Sequence, residues 1–507
     1  MQVFFKNLLQ YKQFWLIFFF LFVLYFPFFL HIDSLPLECY DEARTITSSY
    51  EMYKSGNWLV NTFAGQPDMW ATKPLLLNYC QIICFYLFGC NELSARLPVA
   101  MLGFVTCLML IYFARKYLAN LGIGMMSALI LATSMGFVSV HGSRTADFDV
   151  PLTFFMTSYV LCFFLYSETD NVQSQKKYLA VAFLAVALAL FTKSIAALTF
   201  APGIALYLLW RKQLVNTLKN KYFWVFAILS LLPLAIYYIV RNQVTPGYWD
   251  AVWANDMGGR FGTVIEGHKG DFSFYFVNFM DTRYQSWIIW AIMSIVAGYF
   301  YQNEQHRKLS IYSSICSLAF LLVISKAQTK LAWYDIPMYP LLALNISLFF
   351  NQLISWLKNI STEKMGLTQN ILPYLFLIFV FLPPYYQMLG TVYNPTNLDR
   401  GNPEHDRMNA YIQHLYKQKS LQEPLKVILN GYVPDVNLCI TWMQETQKKN
   451  IKLAREEDIQ PNDEVIFSQL EVQNYLEKHY SFDTLNMGKF WQKVKKYKIK
   501  GLLPPPQ

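Results

Sequence analysis

The chain has 507 residues, of which 54% are hydrophobic, 17% aromatic and only 15% charged. That composition excludes a soluble globular protein, and its apolar residues collect in runs of membrane-spanning length, so the chain reads as a polytopic membrane protein. The formal net charge of +9 belongs to loop topology rather than to nucleic acid, because no basic stripe with base-stacking aromatics accompanies it.

The first apolar segment, Phe14 to Leu30, has lysines before it and no small-residue cleavage site, and is expected to remain as an anchor. A charged stretch follows, from Cys39 to Leu75. Asp41, Glu42 and Arg44 open an amphipathic helix in which Ala43, Ile46, Tyr50 and Tyr53 recur at helical spacing, and Gly56 ends it as a C-cap. Lys73-Pro74 closes the loop. Acidic residues suit any helix start, and a lysine at a span end often snorkels to the headgroups. Held together at the mouth of a membrane protein, they also suit a charged headgroup.

Spans are expected near 14–31, 97–115, 123–141, 150–167, 178–193, 195–210, 222–240, 284–301, 310–325, 334–352 and 370–390, about eleven crossings. Lys6 and Lys12 place the N-terminus inside, and Arg115-Lys116, Lys176-Lys177, Arg211 to Lys221, Arg307-Lys308 and Lys358 to Lys364 fall inside with it. This holds only if Leu75 to Gly89 lies in the interface rather than crossing. The loops 31–73, 142–149 and 241–283 and the chain beyond 391 then share the outer side. Residues 1–390 form the membrane domain, and 391–507 a small α/β domain with strands at Lys426 to Leu429 and Glu464 to Phe467, helices over 434–447 and 469–479, and a basic, Pro-rich tail.

The eight cysteines are scattered. Cys80 and Cys84 lack partners at zinc spacing and read as packing residues, and a Cys39–Cys439 pairing on the outer side stays open.

A second polar cluster runs from His141 to Pro151 and carries Arg144, Asp147 and Asp149. Asp149 alone fits a helix cap; the three together exceed that need. Thr192-Lys193, Lys326, Lys330 and Tyr334 fall at the same depth. The long loop 241–283, with Trp249, Asp250, Trp253, Asp256, Arg260, a GGRFG run and Glu266 to Lys269, reads as a lid or binding loop, a plain external loop being the alternative. Gathered on one face, these cations could bind a phosphate while a carboxylate takes a proton from an attacking group.

The DEAR helix after the first span, the KP dipeptide about thirty residues on, RLP, the external R-T-x-D-x-D, F-T-K and K-L-x-W-Y-x-x-P-x-x-P together resemble the GT-C glycosyltransferases. The likeness is to the glycosyltransferase family 39 and aminoarabinose lipid A transferase branch, relatives of the protein O-mannosyltransferases, over residues 30–350. It implies a mainly α GT-C bundle of about eleven spans plus interfacial helices, a polyprenyl-phosphate sugar donor and transfer on the non-cytoplasmic face. Asp41 matches the first-loop catalytic acid and Asp149 the second-loop acid, with Asp147 as a one-step alternative. Arg44, Lys73 and Tyr334 match donor-phosphate contacts, to which Lys193 and Lys330 are added by position. Glu42, Arg144, Arg260 and His268 are expected at the acceptor or lid, His268 resembling a histidine that some relatives use around a metal. Thr72 stands where the family often has glutamate, so a divalent metal is possible but not required.

The expected function is a bacterial inner-membrane glycosyltransferase acting on a lipid, glycan or protein acceptor at the periplasmic face. The rival is a transporter or flippase of lipid-linked sugars, which needs charges midway along the spans and an inverted repeat.

Overall fold

The computed structural model describes residues 2–360, 371–393, 403–418, 424–485 and 494–503. The end of the Lys358 to Lys364 basic loop and the Pro-rich tail lie outside the described residues. Helix α1 (Gln2–Phe29) leads to the amphipathic α2 (Asp41–Ser55) and the short α3 (Leu76–Phe88). There follow α4 (Glu92–Tyr117), α5 (Leu121–Ala132), α6 (Asp149–Ser167), α7 (Val172–Lys193), α8 (Ala201–Trp210) and α9 (Lys221–Val244). The bundle ends with α10 (Ile288–Ala297), α11 (Glu304–Lys326), α12 (Tyr339–Asn359) and α13 (Ile371–Tyr393).

Every expected span falls on apolar helix, and among the described residues seven helices are long and apolar enough to cross a membrane. The others offer only 10 to 17 apolar helical residues, α1 through Phe14–Phe29, so length alone does not reach the expected eleven or so crossings, and one shows why. The expected span 123–141 breaks after Ala132, where the hydroxyls of Thr133 and Ser134 bond back to the carbonyls of Leu129 and Ile130 at 2.7 Å each and the chain turns. Close packing of the bundle depends on small residues. A Cβ on Gly124 would stand 2.7 Å from Ile111 Cα, and one on Gly203 2.7 Å from Cys316 Cα, so α5 approaches α4 and α8 approaches α11 backbone to backbone.

Helix α3 has 13 residues, about 20 Å of rise against a hydrocarbon core of about 30 Å. It buries Leu77, Gln81, Ile82 and Phe85 and exposes Ile83, Tyr86, Leu87 and Phe88. That two-faced distribution fits an interfacial helix. Helix α2 behaves as its periodicity requires: Ala43, Ile46 and Tyr50 are buried, and Gly56 caps it at φ +68° with its N–H on the Met52 carbonyl.

The C-terminal unit is α/β. Helix α14 (Pro403–Lys417) precedes β1 (Leu425–Val427), followed by α15 (Pro434–Gln447), β2 (Ile451–Leu453), β3 (Glu464–Phe467), α16 (Leu470–His479), β4 (Tyr480–Leu485) and β5 (Lys495–Leu502). The sheet order is β2-β1-β3-β5-β4, with β1 parallel to β2 and β3 while β5 runs antiparallel to β3 and β4. This unit is bound to α2: Ile46, Tyr50, Phe85 and Ala95 share a buried cluster with Met408, Ile412, Val436 and Trp442. The Cys39–Cys439 pairing is not formed; Cys39 Sγ donates instead to the Tyr432 carbonyl at 3.1 Å.

One buried ion pair sets where α2 sits. Arg96 of α4 donates from Nε and a terminal nitrogen to the two Glu42 oxygens at 2.7 and 2.8 Å, and both side chains are 1% exposed. The remaining Arg96 protons go to the carbonyls of Ile32, Leu35 and Pro36. Glu42 also accepts from the backbone N–H groups of Glu38 and Ala146, each at 2.8 Å. Removing one member of such a pair leaves a buried charge without a partner. Arg96→Ala is therefore expected to lower unfolding stability by about 3–5 kcal/mol, read as a fall in the thermal midpoint in detergent. Arg455→Ala, at the exposed Arg455–Glu457 pair, should leave that midpoint unchanged.

Candidate active site

The Glu42 clamp decides which residues meet. Asp41 precedes Glu42, and Asp147 follows Ala146, so fixing Glu42 to the Ala146 amide sets the two acids side by side. Asp41, His141 and Asp147 each offer one oxygen or nitrogen atom, all within 4.8 Å of one another. His141 lies in the loop beyond α5 at φ +57°, its ring stacked 3.5 Å from the Trp333 ring at 14°. Its Nδ1 is bonded to Asp147 Oδ2, while Asp147 Oδ1 accepts the Phe148 N–H at 2.6 Å.

Burial alone would raise the Asp147 carboxyl. The hydrogen bond and charge of His141, with Lys73 and Lys193 behind it, overcome that and hold it below the usual carboxylate range. His141 is raised in turn: burial works against its charge, and Asp147, Glu38 and Asp41 outweigh it.

Asp149 does not cap α6. Its Oδ1 meets Lys193 Nζ at 2.6 Å, and its Oδ2 is buried without a hydrogen-bond partner among the described residues. The motif thus contributes two acids with different surroundings, Asp147 on a histidine and Asp149 on a lysine.

The cations divide into two groups. Lys73 makes no ion pair or hydrogen bond with another described residue; its ammonium lies 4.8 Å from the Phe148 ring centre. Burial would lower it, but Asp41, Asp147 and Asp256 hold it above the ordinary lysine value. Lys193 stands 4.9 Å from the Tyr334 ring centre, and an Arg260 terminal nitrogen donates to the Tyr334 hydroxyl at 3.2 Å. These three cations and Tyr334 stand about the acids.

The other basic residues are occupied elsewhere. Arg44, expected on phosphate, grips Asp68 through Nε and a terminal nitrogen at 3.0 and 2.7 Å. Arg144 donates to the Pro27 and Leu30 carbonyls and ties its loop to the end of α1. Lys330 donates to the carbonyls of Ser325 and Ala327, closing the end of α11. His268 is 45% exposed beside Glu266. Glu42, expected near the acceptor, has both oxygens engaged in the clamp.

A cleft of about 510 Å³ leads away from these groups. Its walls are largely apolar, with Ile195, Leu198, Pro202, Phe320, Val323 and Ile324, and its inner end carries Asp149, Lys193, Asp256, Arg260 and Tyr334. An apolar trough that ends in cations matches an amphiphile with an anionic head. Asp256 enters from the 241–283 loop and accepts the Thr72 hydroxyl at 2.6 Å. Thr72 therefore recruits a carboxylate from another loop to the place next to Lys73.

A metal implied by the fold family can be tested against these residues. Asp41, His141 and Asp147 are the one group of three ligand-type side chains among the described residues, and His268 is not in it. The N and O donors are of the right kind. Yet His141 Nδ1 already faces Asp147, and Lys73 already supplies positive charge to both acids. A dication would have to displace the imidazole proton and tolerate the ammonium beside it. These residues fit a lysine-balanced site better than a metal centre.

The sequence displays His141, Asp256 and, within K-L-x-W-Y, Trp333, but assigns none of them a role. The Thr72–Asp256 bond and the stacking of His141 on Trp333, which bring them in, join residues distant in the chain.

With this geometry in view, comparison with known proteins gives concordant likenesses. The profile of the family described as dolichyl-phosphate-mannose-protein mannosyltransferase matches residues 72–239. The undecaprenyl phosphate-alpha-4-amino-4-deoxy-L-arabinose arabinosyl transferase of Shewanella sediminis is 25% identical over 320 residues, 61% of this chain and 56% of that protein. An uncharacterized protein of Aquifex aeolicus is 26% identical over 323 residues, 63% of this chain and 61% of its own. The chain thus aligns with less than two thirds of the length of these curated relatives. Among solved structures, ArnT from Cupriavidus metallidurans bound to undecaprenyl phosphate has a TM-score of 0.68 at 15% identity, covering 95% of this chain and 97% of that one. The Archaeoglobus fulgidus oligosaccharyltransferase tethered to an acceptor peptide reaches 0.56 at 12% identity, covering 96% and 74%. At those identities the structural likeness is one of fold. The chain resembles arabinosyl transferases in sequence and shares its fold with the solved ArnT and oligosaccharyltransferase.

The two groups of cations should respond differently to substitution. Lys73→Ala is expected to weaken binding of a lipid phosphate at the cleft roughly 10- to 100-fold, the loss of a charge-assisted contact. Lys330→Ala should lower the thermal midpoint and leave that affinity unchanged. Equal effects on binding, measured in detergent or nanodiscs, would contradict the division.

Proposed function

We propose that this chain is a glycosyltransferase that moves a sugar from a polyprenyl-phosphate donor to a glycolipid acceptor at the periplasmic face of a bacterial inner membrane. In this reading residues 1–390 are the membrane catalytic domain and 391–507 a periplasmic α/β domain, with the N-terminus cytoplasmic. The observation that carries it is the apolar cleft ending at Lys193, Arg260 and Tyr334, with Lys73 and three acids beside it. Its walls suit an isoprenoid chain and its end suits a phosphate.

The phosphate meets Lys73 and Arg260, with the Tyr334 hydroxyl at its edge. Arginine offers a planar fork and lysine a compact charge, and together they neutralise the leaving group. Asp41 orients the acceptor hydroxyl and takes its proton. The acceptor oxygen then bonds to the anomeric carbon as the carbon–oxygen bond to phosphate breaks, and that electron pair leaves on the phosphate. Direct displacement inverts the anomeric centre. Asp149, with one free oxygen held near Lys193, favours the oxocarbenium-like charge that develops. The His141–Asp147 pair keeps the second-loop carboxylate ionised and in place. With the leaving group neutralised by side chains, the chemistry needs no cofactor.

A flippase would bind the same phosphate without breaking a bond. The acids and available cations stand at one end of the bundle, which favours chemistry at one face over passage between two. Asp41→Asn in purified, folded protein is expected to lower kcat by at least about 100-fold while donor affinity stays near wild type. Normal turnover in that variant would reject the assignment.

A further inference from the structure

Two tyrosines, one directly before Asp41 and one bonded to Arg44, have no part in the chemistry above. Tyr40 directly precedes Asp41 and is 70% exposed, and Tyr432 is 43% exposed. Their rings are stacked, with centroids 6.0 Å apart and planes at 16°, and Phe63 flanks Tyr432 at 6.1 Å. Tyr432 comes from the α/β unit, on the turn between β1 and α15, where Gly431 takes φ +103°.

The pair is held in place. Arg44 donates to the Tyr432 hydroxyl at 3.2 Å, lies 4.3 Å over the Phe63 ring and grips Asp68 with its remaining nitrogens. Asp68 Oδ1 in turn accepts the N–H groups of Trp70 and Ala71 at 2.9 and 3.0 Å, in the turn that leads to Lys73. One guanidinium therefore fixes both the aromatic pair and the approach to the phosphate contact. Residues 40 and 44 share a side of α2, with Asp41 next to them.

We propose that Tyr40 and Tyr432 form the acceptor subsite and take the face of a pyranose ring, so that the C-terminal unit selects a glycolipid as the molecule to be modified. This rests on the transferase reading. A pyranose presents a face of C–H groups whose partial positive charge suits electron-rich aromatic faces, while its hydroxyls stay at the edge in water. Stacked, exposed and amphipathic rings next to Asp41 meet that need, since a sugar seated there offers its hydroxyls to the neighbouring carboxylate. A lipid phosphate without a sugar has no such face.

The test uses the full chain in nanodiscs and three probes: lipid A, a phosphorylated diglucosamine lipid; phosphatidic acid, a phosphate without sugar; and undecaprenyl phosphate. Tyr40→Ala and Tyr432→Ala are each expected to weaken lipid A binding roughly 3- to 10-fold and to leave the other two affinities unchanged. Tyr432→Phe, which keeps the ring, should retain most of the lipid A affinity. Tyr40 is exposed enough that its substitution tests the pair even if Tyr432→Ala fails to fold. Unchanged lipid A binding in Tyr40→Ala, or an equal loss for phosphatidic acid, overturns the subsite. Failure of the wild-type chain to bind undecaprenyl phosphate would overturn the transferase reading itself, and this subsite with it.

Discussion

The carboxylate of Glu42 is the constraint from which the rest of the site follows. Four donors surround it in a buried setting: two nitrogens of Arg96 and the amides of Glu38 and Ala146. A buried charge is tolerable only when it is paired and its lone pairs are filled, so neither α2 nor the second loop can slide without leaving donors unmet. Loops about a hundred residues apart are thereby locked in register, and the acids on either side, Asp41 and Asp147, come to face each other. Glu42 reads as a candidate site residue in the sequence because it adjoins Asp41. Its own work is placement.

Around that fixed point the charges nearly balance. Asp41, Asp147, Asp149 and Asp256 are interleaved with Lys73, Lys193, Arg260 and His141. Such an arrangement offsets the burial that disfavours charge at Asp147, His141 and Lys73, and leaves selected atoms ready for a ligand: the Lys73 ammonium and the second oxygen of Asp149. Arg44, Arg144 and Lys330 show the contrast. Each is basic, but carboxylate or carbonyl oxygens have taken their donors. The distinction between a cation that builds the protein and one that can meet a phosphate lies in these partners.

Much of the architecture was legible in the sequence because it follows from local rules. The amphipathic period of α2, its Gly56 cap, the helix over 434–447 and the strand over 464–467 appear where residue pattern demands. The interfacial reading of Leu75 to Gly89 followed from charge topology, and the 13-residue helix there has one buried and one exposed side. Several site assignments were not legible for a physical reason. No pattern around Lys330 reveals that it closes the end of α11, and none around Thr72 reveals that Asp256 comes to it from the 241–283 loop. Tyr432 was invisible as a neighbour of Tyr40 because a strand–turn–helix unit carries it there from far along the chain. Side-chain partners across long separations are set by packing, and the sequence alone does not display them.

The account turns on a bond being broken at these residues, and the most direct measurement is a mass balance. Purified wild-type chain is incubated with a polyprenyl-phosphate-linked sugar and a glycolipid acceptor, and both lipid pools are followed by mass spectrometry. The account predicts that free polyprenyl phosphate and a sugar-bearing glycolipid accumulate together in equal amounts. Donor that stays intact while it changes leaflet, in reconstituted vesicles supplied with the same acceptor, would contradict it.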